Sequence, residues 1–396
     1  MKQLNIEQIR SDTPGCQHVV HFNNAGAALS PLPVTQAIKN HLDLEATIGG
    51  YEAAQQAANK IQKFYENAAL LIHCQPDEIA FFDNATRAWD MAFYSFKFNP
   101  GDKILTCVSE YASNYLAFLH QAKHTGVTID VIHNDSSGQL DLDDLKRKID
   151  KRVKLIAITH IPTQGGLINP AVEVGQIAKA HNIPYLLDTT QSVGQLLVDV
   201  QEIGCDFLCA TGRKFLRGPR GTGFLYASKR ITEHSDPPFI DLHSAQWISD
   251  HDYLLRPDAH RFETWEQNIA AKIGLATAIE YALKLGLPLI WQRISQLATL
   301  LRQNLCTINS IKLHDLGVHQ CGIVTFTSLE KSPQEIQRYL TSKRINVSIS
   351  LQEYARLDMI KRNLPALVRA SVHYYNTESE IDIFCSELRK FLNPCP

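Results

Sequence analysis

The strongest candidate for chemistry in the sequence is Lys214, which lies within the segment T-G-R-K-F-L-R-G-P-R-G-T-G at residues 211–223. An apolar run at residues 207–210 precedes this lysine and a glycine-rich turn follows it, so we expect it just beyond the end of a buried strand. Burial lowers the pKa of an amine, and the neutral amine can then form a Schiff base with a carbonyl compound. Taken alone, the segment is explained better by an ordinary solvated loop lysine, because short motifs often match by chance.

A second polar residue at a predicted strand end, Asp188, favours the interpretation of Lys214 as a Schiff-base lysine. It follows the apolar residues 185–187 in the segment P-Y-L-L-D-T-T-Q-S-V-G, 26 positions before Lys214. A carboxylate at the carboxyl end of a parallel strand faces the crevice where open α/β sheets bind ligands, although a helix N-cap is the alternative role. Enzymes that use pyridoxal phosphate pair a Schiff-base lysine with an acid that keeps the pyridine nitrogen protonated. The two residues together therefore predict pyridoxal phosphate as the cofactor.

Two more segments are suited to binding anions. Asn84, Ala85 and Thr86 precede a predicted helix whose first amide groups are free to bind a phosphate, although an ordinary N-cap has the same spacing. Arg369 lies in the strand-like run L-V-R-A-S-V-H-Y at residues 367–374, whose other members are mostly apolar or small. A guanidinium group is costly to bury unless an anion meets it, and its planar shape matches an α-carboxylate. We therefore expect Arg369 to bind the carboxylate of an amino acid, with an internal ion pair as the alternative.

In their order along the chain, these motifs resemble the class V aminotransferase family of fold-type I pyridoxal-phosphate enzymes. Within that family the chain is most similar to the branch of cysteine desulfurases, selenocysteine lyases, isopenicillin epimerase-like enzymes and ergothioneine-type C–S lyases. The resemblance extends from H-F-N-N-A-G at residues 21–26 to V-R-A-S-V-H-Y-Y-N-T at residues 368–377. It implies an α/β fold with a mostly parallel seven-stranded sheet in a large cofactor-binding domain at residues 15–262. A small α+β domain would comprise residues 263–396 together with residues 1–14.

The same resemblance implies a role for each residue of the site. The catalytic residues would be Lys214, Asp188 and Tyr111. Relatives most often have histidine where Tyr111 stands; a tyrosine can stack on the pyridine ring but cannot supply an imidazole acid or base. The cofactor would be bound by Ala85, Thr86, Arg87, Tyr111, Thr163, Asp188, Thr190, Gln191, Thr211, Arg213 and Lys214. The substrate would be bound by Arg369 and by the small loop of Asn24, Ala25 and Gly26.

The absence of one residue narrows the range of reactions that the site can catalyse. Cysteine desulfurases carry a nucleophilic cysteine on a small-domain loop ahead of the carboxylate-binding arginine, but residues 345–359 contain no cysteine. Serine cannot replace a thiolate here, because the pKa of a hydroxyl group is much higher. We therefore predict C–S β-elimination from a cysteine-derived amino acid, with Lys214 moving the Cα proton. Transamination and epimerisation use the same groups and stay open as alternatives, whereas a non-catalytic binding protein or scaffold is the least favoured.

The composition agrees with an enzyme that acts on small molecules. The 396 residues carry a formal net charge of −2, which provides no basic surface for nucleic acid or anionic lipid. We expect no membrane span and no signal peptide, and the nine scattered cysteines suggest reduced thiols in the cytoplasm. Cys205 and Cys209 flank a strand without partner ligands, so we expect no metal site. The resemblance also implies a homodimer, in which residues 261–268 of each subunit would help to close the phosphate site of the other subunit.

Alternating helical and apolar patterns predict the elements that position these residues. Strands are expected at residues 103–108, 128–133, 155–159, 185–188, 207–210, 223–227, 322–326, 346–350 and 367–373. Helices are expected at residues 34–48, 51–72, 87–98, 265–285, 289–308, 333–343 and 378–391.

Overall fold

The computed structural model describes residues 4–392 of the chain. These residues form fifteen α-helices, which are α1 (Ile6–Ser11), α2 (Leu32–Ile48), α3 (Gly50–Gln56), α4 (Ala58–Ile72), α5 (Ala85–Phe93), α6 (Ala112–Thr125), α7 (Leu142–Lys148), α8 (Ala171–Ala180), α9 (Val200–Ile203), α10 (Lys229–Thr232), α11 (Ile269–Leu285), α12 (Leu287–Cys306), α13 (Pro333–Ser342), α14 (Arg356–Lys361) and α15 (Glu378–Leu392). They also form fifteen β-strands, which are β1 (Val20–His21), β2 (Ile79–Phe82), β3 (Lys103–Cys107), β4 (Thr128–Ile132), β5 (Val153–Thr159), β6 (Tyr185–Asp188), β7 (Phe207–Thr211), β8 (Gly223–Ala227), β9 (Ala245–Ser249), β10 (Asp252–Leu255), β11 (Ile311–Leu313), β12 (Ile323–Ser328), β13 (Ile345–Asn346), β14 (Ser348–Leu351) and β15 (Ala366–Ser371).

A seven-stranded sheet has the strand order β2-β8-β7-β6-β5-β3-β4. Its strands are parallel except β8, which runs antiparallel to both of its neighbours, β2 and β7. Strands β6, β7 and β8 are buried along their whole length, so their sequences are continuous apolar runs and not alternating ones. The predicted α/β fold with a mostly parallel seven-stranded sheet is confirmed.

A second, antiparallel sheet has four strands in the order β11-β12-β15-β14. Strand β1 pairs in parallel with β13, which connects the amino-terminal residues to the carboxy-terminal part of the chain. One continuous cluster of buried apolar side chains includes Ile158 of β5 and Val324 of β12, so the two sheets share a core. The proposed domain boundary at residue 262 stays a prediction.

Several elements differ from the expected bounds. The helix expected at residues 51–72 is divided into α3 and α4 at Ala57, and the strand expected at residues 346–350 is divided into β13 and β14. Helix α11 begins four residues later than expected, because the Asn268 side chain accepts a hydrogen bond from the Ala271 amide and caps the helix there. The β9–β10 hairpin is mostly exposed and was not expected, because it lacks the alternation of a half-buried strand.

Helices α11 and α12 are the longest apolar segments of the described chain. Among residues 4–392, no single helix is long and apolar enough to cross a membrane. The two helices meet that requirement only when they are taken together, and they are bent against each other by 81°.

Candidate active site

A cleft opens at the carboxyl ends of β5, β6 and β7. The strand register places Thr159 beside Asp188, and Asp188 beside Cys209, so polar residues at strand ends reach the same edge of the sheet. This edge is where doubly wound sheets bind their ligands. The cleft is lined by Asn84, Ala85, Thr86, Tyr111, Asn114, Thr159, Ile161, Thr163, Asp188, Thr190, Gln191, Arg213 and Lys214.

Lys214 lies three residues beyond the end of β7, and only 9% of its surface is exposed. Burial lowers the pKa of its amine well below the usual range, and the guanidinium groups of Arg213 and Arg369 lower this pKa further. The loop that carries Lys214 is closely packed, because a Cβ atom at Gly194 would lie 2.4 Å from the backbone carbon of Phe215. The structure therefore holds an amine of lowered pKa on a closely packed loop, which suits a nucleophile or a base.

Asp188 is the last residue of β6 and is buried. Its Oδ1 atom accepts a hydrogen bond of 2.9 Å from the Thr190 amide, and its Oδ2 atom accepts one of 2.9 Å from Asn114 Nδ2. Within residues 4–392, the Asp188 carboxylate forms no salt bridge with a lysine, arginine or histidine side chain. A buried carboxylate without a cation is unfavourable, so Asp188 is prepared to receive a positively charged group from a ligand.

Part of the cleft is suited to a phosphate group. Ala85 and Thr86 form the first turn of α5, where amide groups have no carbonyl partner inside the helix. The Asn84 side chain caps this turn by accepting a hydrogen bond of 2.9 Å from the Arg87 amide. The positive end of the helix and its free amides together form a common type of anion site.

Arg213 and Thr211 extend this anion site. Arg213 donates a hydrogen bond of 3.1 Å from Nη1 to Thr211 Oγ1, which fixes one side of its guanidinium group. Gly223 allows β8 to approach the first turn of α5 closely, because a Cβ atom there would lie 2.9 Å from the Asn84 carbonyl carbon and 3.0 Å from the Ala85 nitrogen. The residues predicted to bind phosphate thus come from the end of β7 and the start of α5, and their contact with a phosphate stays a prediction.

Arg369 is buried on β15 beside the cleft. Its Nη1 atom donates to the carbonyl oxygen of Thr163 at 3.1 Å and to the Thr163 hydroxyl at 2.6 Å. Gln191 Nε2 donates to the same hydroxyl at 3.4 Å and to the Ala25 carbonyl at 3.1 Å. Within the described residues, Arg369 Nε and Gln191 Oε1 are buried and have no hydrogen-bond partner. One unpartnered donor and one unpartnered acceptor therefore indicate the place of a polar ligand.

Six of the predicted site residues lie outside the lining of the cleft, namely Arg87, Thr211, Arg369, Asn24, Ala25 and Gly26. Arg87 is exposed and lines a separate groove. Asn24 is fully buried and donates a hydrogen bond of 2.7 Å to the Ser371 carbonyl, so its amide supports the loop from inside. Gly26 packs against Asn23, whose Oδ1 atom would lie 2.6 Å from a Cβ atom at this position. Ligand contacts by these residues stay predictions.

Four residues that the sequence did not single out belong to the site. Asn114, Thr159 and Ile161 line the cleft, and the carboxyl group of Glu110 lies behind them. The segment E-Y-A-S-N at residues 110–114 follows shortly after the strand that ends at residue 107. Its position at a strand end was the sequence feature that could have identified Glu110 and Asn114. Two polar residues four positions apart at a strand end are too common to identify a site without the neighbouring strands.

The cysteines of residues 4–392 are absent from the cleft lining, although Cys209 on β7 pairs with Asp188. All eight are free, and none of those in residues 4–392 lines the cleft. Burial raises the pKa of the Cys321 thiol to about 12, which keeps it protonated. The ninth cysteine, Cys395, lies outside the described residues. Among residues 4–392, no group of three or more histidine, cysteine, aspartate or glutamate side chains is arranged to hold a metal ion.

Known proteins match this chain along nearly its whole length. The family model of class V aminotransferases matches residues 20–384. A probable cysteine desulfurase of Pyrococcus abyssi is 31% identical over 394 residues, which cover 98% of this chain and 97% of that protein. The apo structure of a cysteine desulfurase from Thermococcus onnurineus NA1 is 28% identical, with a TM-score of 0.92 over 100% of both chains. A cystine C–S lyase in complex with its product cysteine persulfide shares the fold, with a TM-score of 0.85 and 22% identity over 95% of this chain and 98% of that chain. The family predicted from the motifs is confirmed, and the chain belongs to the class V aminotransferases.

Proposed function

We propose that the protein is a pyridoxal-phosphate-dependent lyase that expels a sulfur group from Cβ of a cysteine-derived amino acid. Relatives that match almost the whole chain are named cysteine desulfurases, which act at the C–S bond of an amino acid. A cystine C–S lyase shares the fold. These similarities support a lyase that acts on a small sulfur-containing amino acid.

The residues of the cleft fit pyridoxal phosphate. The first-turn amides of α5 and the Arg213 guanidinium group would bind the phosphate, and Asp188 would hold the protonated ring nitrogen. The unpartnered Oε1 atom of Gln191 would accept a hydrogen bond from the ring hydroxyl, and Tyr111 would stack on the ring. When bound, this cofactor supplies an aldehyde that reacts with amines and a ring that stabilises negative charge at Cα.

Two further residues would act on the substrate. Arg369 would bind the α-carboxylate, because its Nε atom is buried without a partner within residues 4–392 and its planar group matches a carboxylate. Lys214 would remove the Cα proton with its Nζ atom, because burial lowers the pKa of the amine and so favours its neutral form. Both side chains are buried, which restricts the access of water to the Cα proton.

The positions of the cysteines favour elimination over persulfide transfer. A desulfurase that works through a persulfide needs a thiol able to reach the substrate sulfur, and no cysteine of residues 4–392 lines the cleft. Elimination needs no such thiol, because the bond between Cβ and sulfur breaks when the Cα proton has been removed. A substrate R–S–CH₂–CH(NH₃⁺)–COO⁻ and one water molecule then yield a thiol R–SH, ammonium and pyruvate, since free 2-aminoacrylate hydrolyses in solution.

The products distinguish the possible reactions. The protein, loaded with pyridoxal phosphate, is incubated with cysteine, cystine, S-alkyl cysteines and cysteine sulfoxides, and pyruvate, ammonium and alanine are measured. We expect pyruvate and ammonium in equal amounts from at least one substrate, and none from Lys214→Ala; Lys39→Ala, which changes an exposed lysine, serves as the control. Alanine with a persulfide on the protein would indicate a desulfurase, and pyridoxamine phosphate would indicate a transaminase.

We also propose a homodimer and a cytoplasmic location. The homodimer follows from the family resemblance, and a groove lined by Arg87, Phe239, Glu266 and Asn268 lies next to the first turn of α5. A second copy in this groove would place its own residues close to the phosphate site. The cytoplasmic location rests on the free state of the eight cysteines in residues 4–392, which suits a reducing compartment.

A further inference from the structure

Glu110 is a buried acid that does not line the cleft but is hydrogen-bonded to three residues that do, Tyr111, Asn114 and Thr159. Only 3% of its surface is exposed. Its Oε1 atom accepts hydrogen bonds from the Tyr111 amide at 2.8 Å, from Asn114 Nδ2 at 2.8 Å and from the Thr159 hydroxyl. Its Oε2 atom accepts one from the Thr106 hydroxyl at 3.0 Å. One carboxyl group therefore joins strands β3 and β5 to the start of helix α6.

The bridge from Glu110 to the cleft is the side chain of Asn114. Its Nδ2 atom donates one hydrogen bond to Glu110 Oε1 at 2.8 Å and another to Asp188 Oδ2 at 2.9 Å. Because both partners are carboxyl oxygens, the amide group must present its nitrogen to them, which fixes its orientation. The order Glu110–Asn114–Asp188 is thus a continuous hydrogen-bonded chain from the protein interior to the residue that faces the ring nitrogen in the proposed site.

The two acids form an unusual buried pair. Within residues 4–392, no lysine, arginine or histidine side chain forms a salt bridge with either Glu110 or Asp188. The negative charge of Asp188 raises the proton affinity of Glu110. A cation that binds next to Asp188 is therefore held more strongly when Glu110 is ionised as well.

We propose that Glu110 is a positioning residue that, through Asn114 and the Tyr111 amide, orients Asp188 and Tyr111 and raises the proton affinity of the cofactor ring nitrogen. This inference rests on the proposed pyridoxal-phosphate site. Glu110 lies outside the cleft lining, so it acts on the cofactor through the residues that it holds, Asn114, Tyr111 and Thr159, and through Asp188 beyond Asn114. A single carboxyl group thus controls both the residue that holds the ring nitrogen and the residue that stacks on the ring.

The pH at which this effect operates follows from the groups around Glu110. Burial and the charge of Asp188 together raise the pKa of Glu110 to about 7, so the carboxylate is formed mainly above neutral pH. The two nearby thiols do not titrate in this range, because burial raises the pKa of Cys107 to about 12 and that of Cys209 well above the usual value. Hydroxyl and amide groups supply the remaining contacts of Glu110.

The variant Glu110→Gln tests the proposal, because it keeps the size of the side chain and removes its charge. Pyridoxal phosphate is titrated into the apoprotein, and the absorption spectrum of the bound cofactor is then recorded from pH 5.5 to 9. We expect about a tenfold weaker affinity at pH 8, and a spectral transition of the ring nitrogen that moves about one pH unit lower. At pH 6 the variant and the wild type should behave alike. Glu110 of the wild type is then largely protonated and carries no charge, as is the case for the glutamine of the variant.

Two further variants separate positioning from simple structural support. Thr106→Val removes the hydrogen bond to Oε2 but keeps the carboxylate, so its cofactor spectrum should match the wild type at every pH. Asn114→Leu breaks the bridge while Glu110 and its other donors remain, so it should reproduce the spectral shift of Glu110→Gln. A lower melting temperature of Glu110→Gln with an unchanged affinity and an unchanged spectral transition would overturn the proposal. Failure of the wild type to bind pyridoxal phosphate would instead refute the proposed function.

Discussion

The lowered pKa of Lys214 favours its proposed role as a base but destabilises the folded apoprotein. Burial, together with Arg213 and Arg369, lowers the pKa of this amine well below its usual value of 10.5. Below pH 10.5 the unfolded chain therefore binds this proton more strongly than the folded chain does. By linkage, the contribution of this group to the free energy of unfolding is fully present above pH 10.5 and is lost as the pH falls.

Replacement of Lys214 by methionine should therefore stabilise the apoprotein. At pH 7 we expect Lys214→Met to melt about 1–3 °C higher than the wild type, because the penalty of the buried amine is removed. The difference should shrink as the pH approaches 10. Thermal unfolding of both apoproteins from pH 6 to 10 measures this, with the exposed Lys39→Met as the control. A lower melting temperature of Lys214→Met at pH 7 would contradict the pKa direction assigned to this amine.

Arg369 should determine how well the substrate binds. In Arg369→Lys the positive charge is kept, but the planar group that can form two parallel hydrogen bonds to a carboxylate is lost. We expect kcat/KM to fall about 10–100-fold, mostly through a higher KM. Steady-state kinetics at several amino-acid concentrations check this. Arg362→Lys is the matched control, because Arg362 pairs with Asp358; equal losses in the two variants would argue against a carboxylate site at Arg369.

The location of a site residue could be predicted from the sequence where it depends on a single strand. Lys214 and Asp188 could be predicted because each comes directly after a continuous apolar run, and parallel strands end at the same edge of a sheet. Glu110 and Asn114 could not be predicted, because their role depends on Thr159 and Asp188 from two other strands. Arg87 shows the opposite case: its position in the helix start was anticipated, but its side chain is exposed.

At the scale of elements, the phosphate site depends on how closely β8 approaches α5. A Cβ atom at Gly223 would lie 2.6 Å from the Ala210 carbonyl oxygen and 2.9 Å from the Asn84 carbonyl carbon, and both are backbone atoms that cannot move independently. Gly223→Ala should therefore displace the first turn of α5. We expect about a tenfold weaker affinity for pyridoxal phosphate and a loss of about 1–3 kcal/mol in the free energy of unfolding.

Cofactor titration and chemical denaturation measure the two effects of Gly223→Ala. Gly50→Ala is the control, because a Cβ atom at Gly50 has no neighbour within 4 Å. If Gly223→Ala bound pyridoxal phosphate as tightly as Gly50→Ala, the anion site would not depend on this approach of strand and helix.

The elements themselves could be predicted to different degrees. The buried parallel strands were found from their apolar runs, whereas β2, which is as short as β6, was missed because a short apolar run does not by itself distinguish a strand from a helix. The break between α3 and α4 was missed because Ala57 is a good helix former, and the interruption arises from packing and not from a local stop signal.

At the scale of the whole molecule, several large apolar side chains are exposed among residues 239–265. Phe239, Trp247, Leu254 and Trp265 are each between 59% and 75% exposed, and they lie in or next to the β9–β10 hairpin. Large exposed apolar patches mark protein–protein interfaces more often than free surface. This distribution supports the proposed homodimer.

The dimer proposal can be tested in solution. Sedimentation velocity at micromolar concentration should give about twice the mass of 44.5 kDa. In the double variant Trp247→Glu/Leu254→Glu, two buried charges at the interface should weaken the dimer at least tenfold. The control Leu329→Glu changes an exposed leucine that is remote in sequence from the hairpin. A monomeric wild type would contradict this proposal without affecting the assignment of the cofactor residues.

The central claim is that this cleft binds pyridoxal phosphate through Lys214. The most direct test is to load the protein with pyridoxal phosphate, reduce it with borohydride and map the modified peptides by mass spectrometry. We expect a phosphopyridoxyl group on Lys214, within residues 211–223, and no stable modification in Lys214→Ala. Modification of a different lysine, or none in the wild type, would contradict the account of the site.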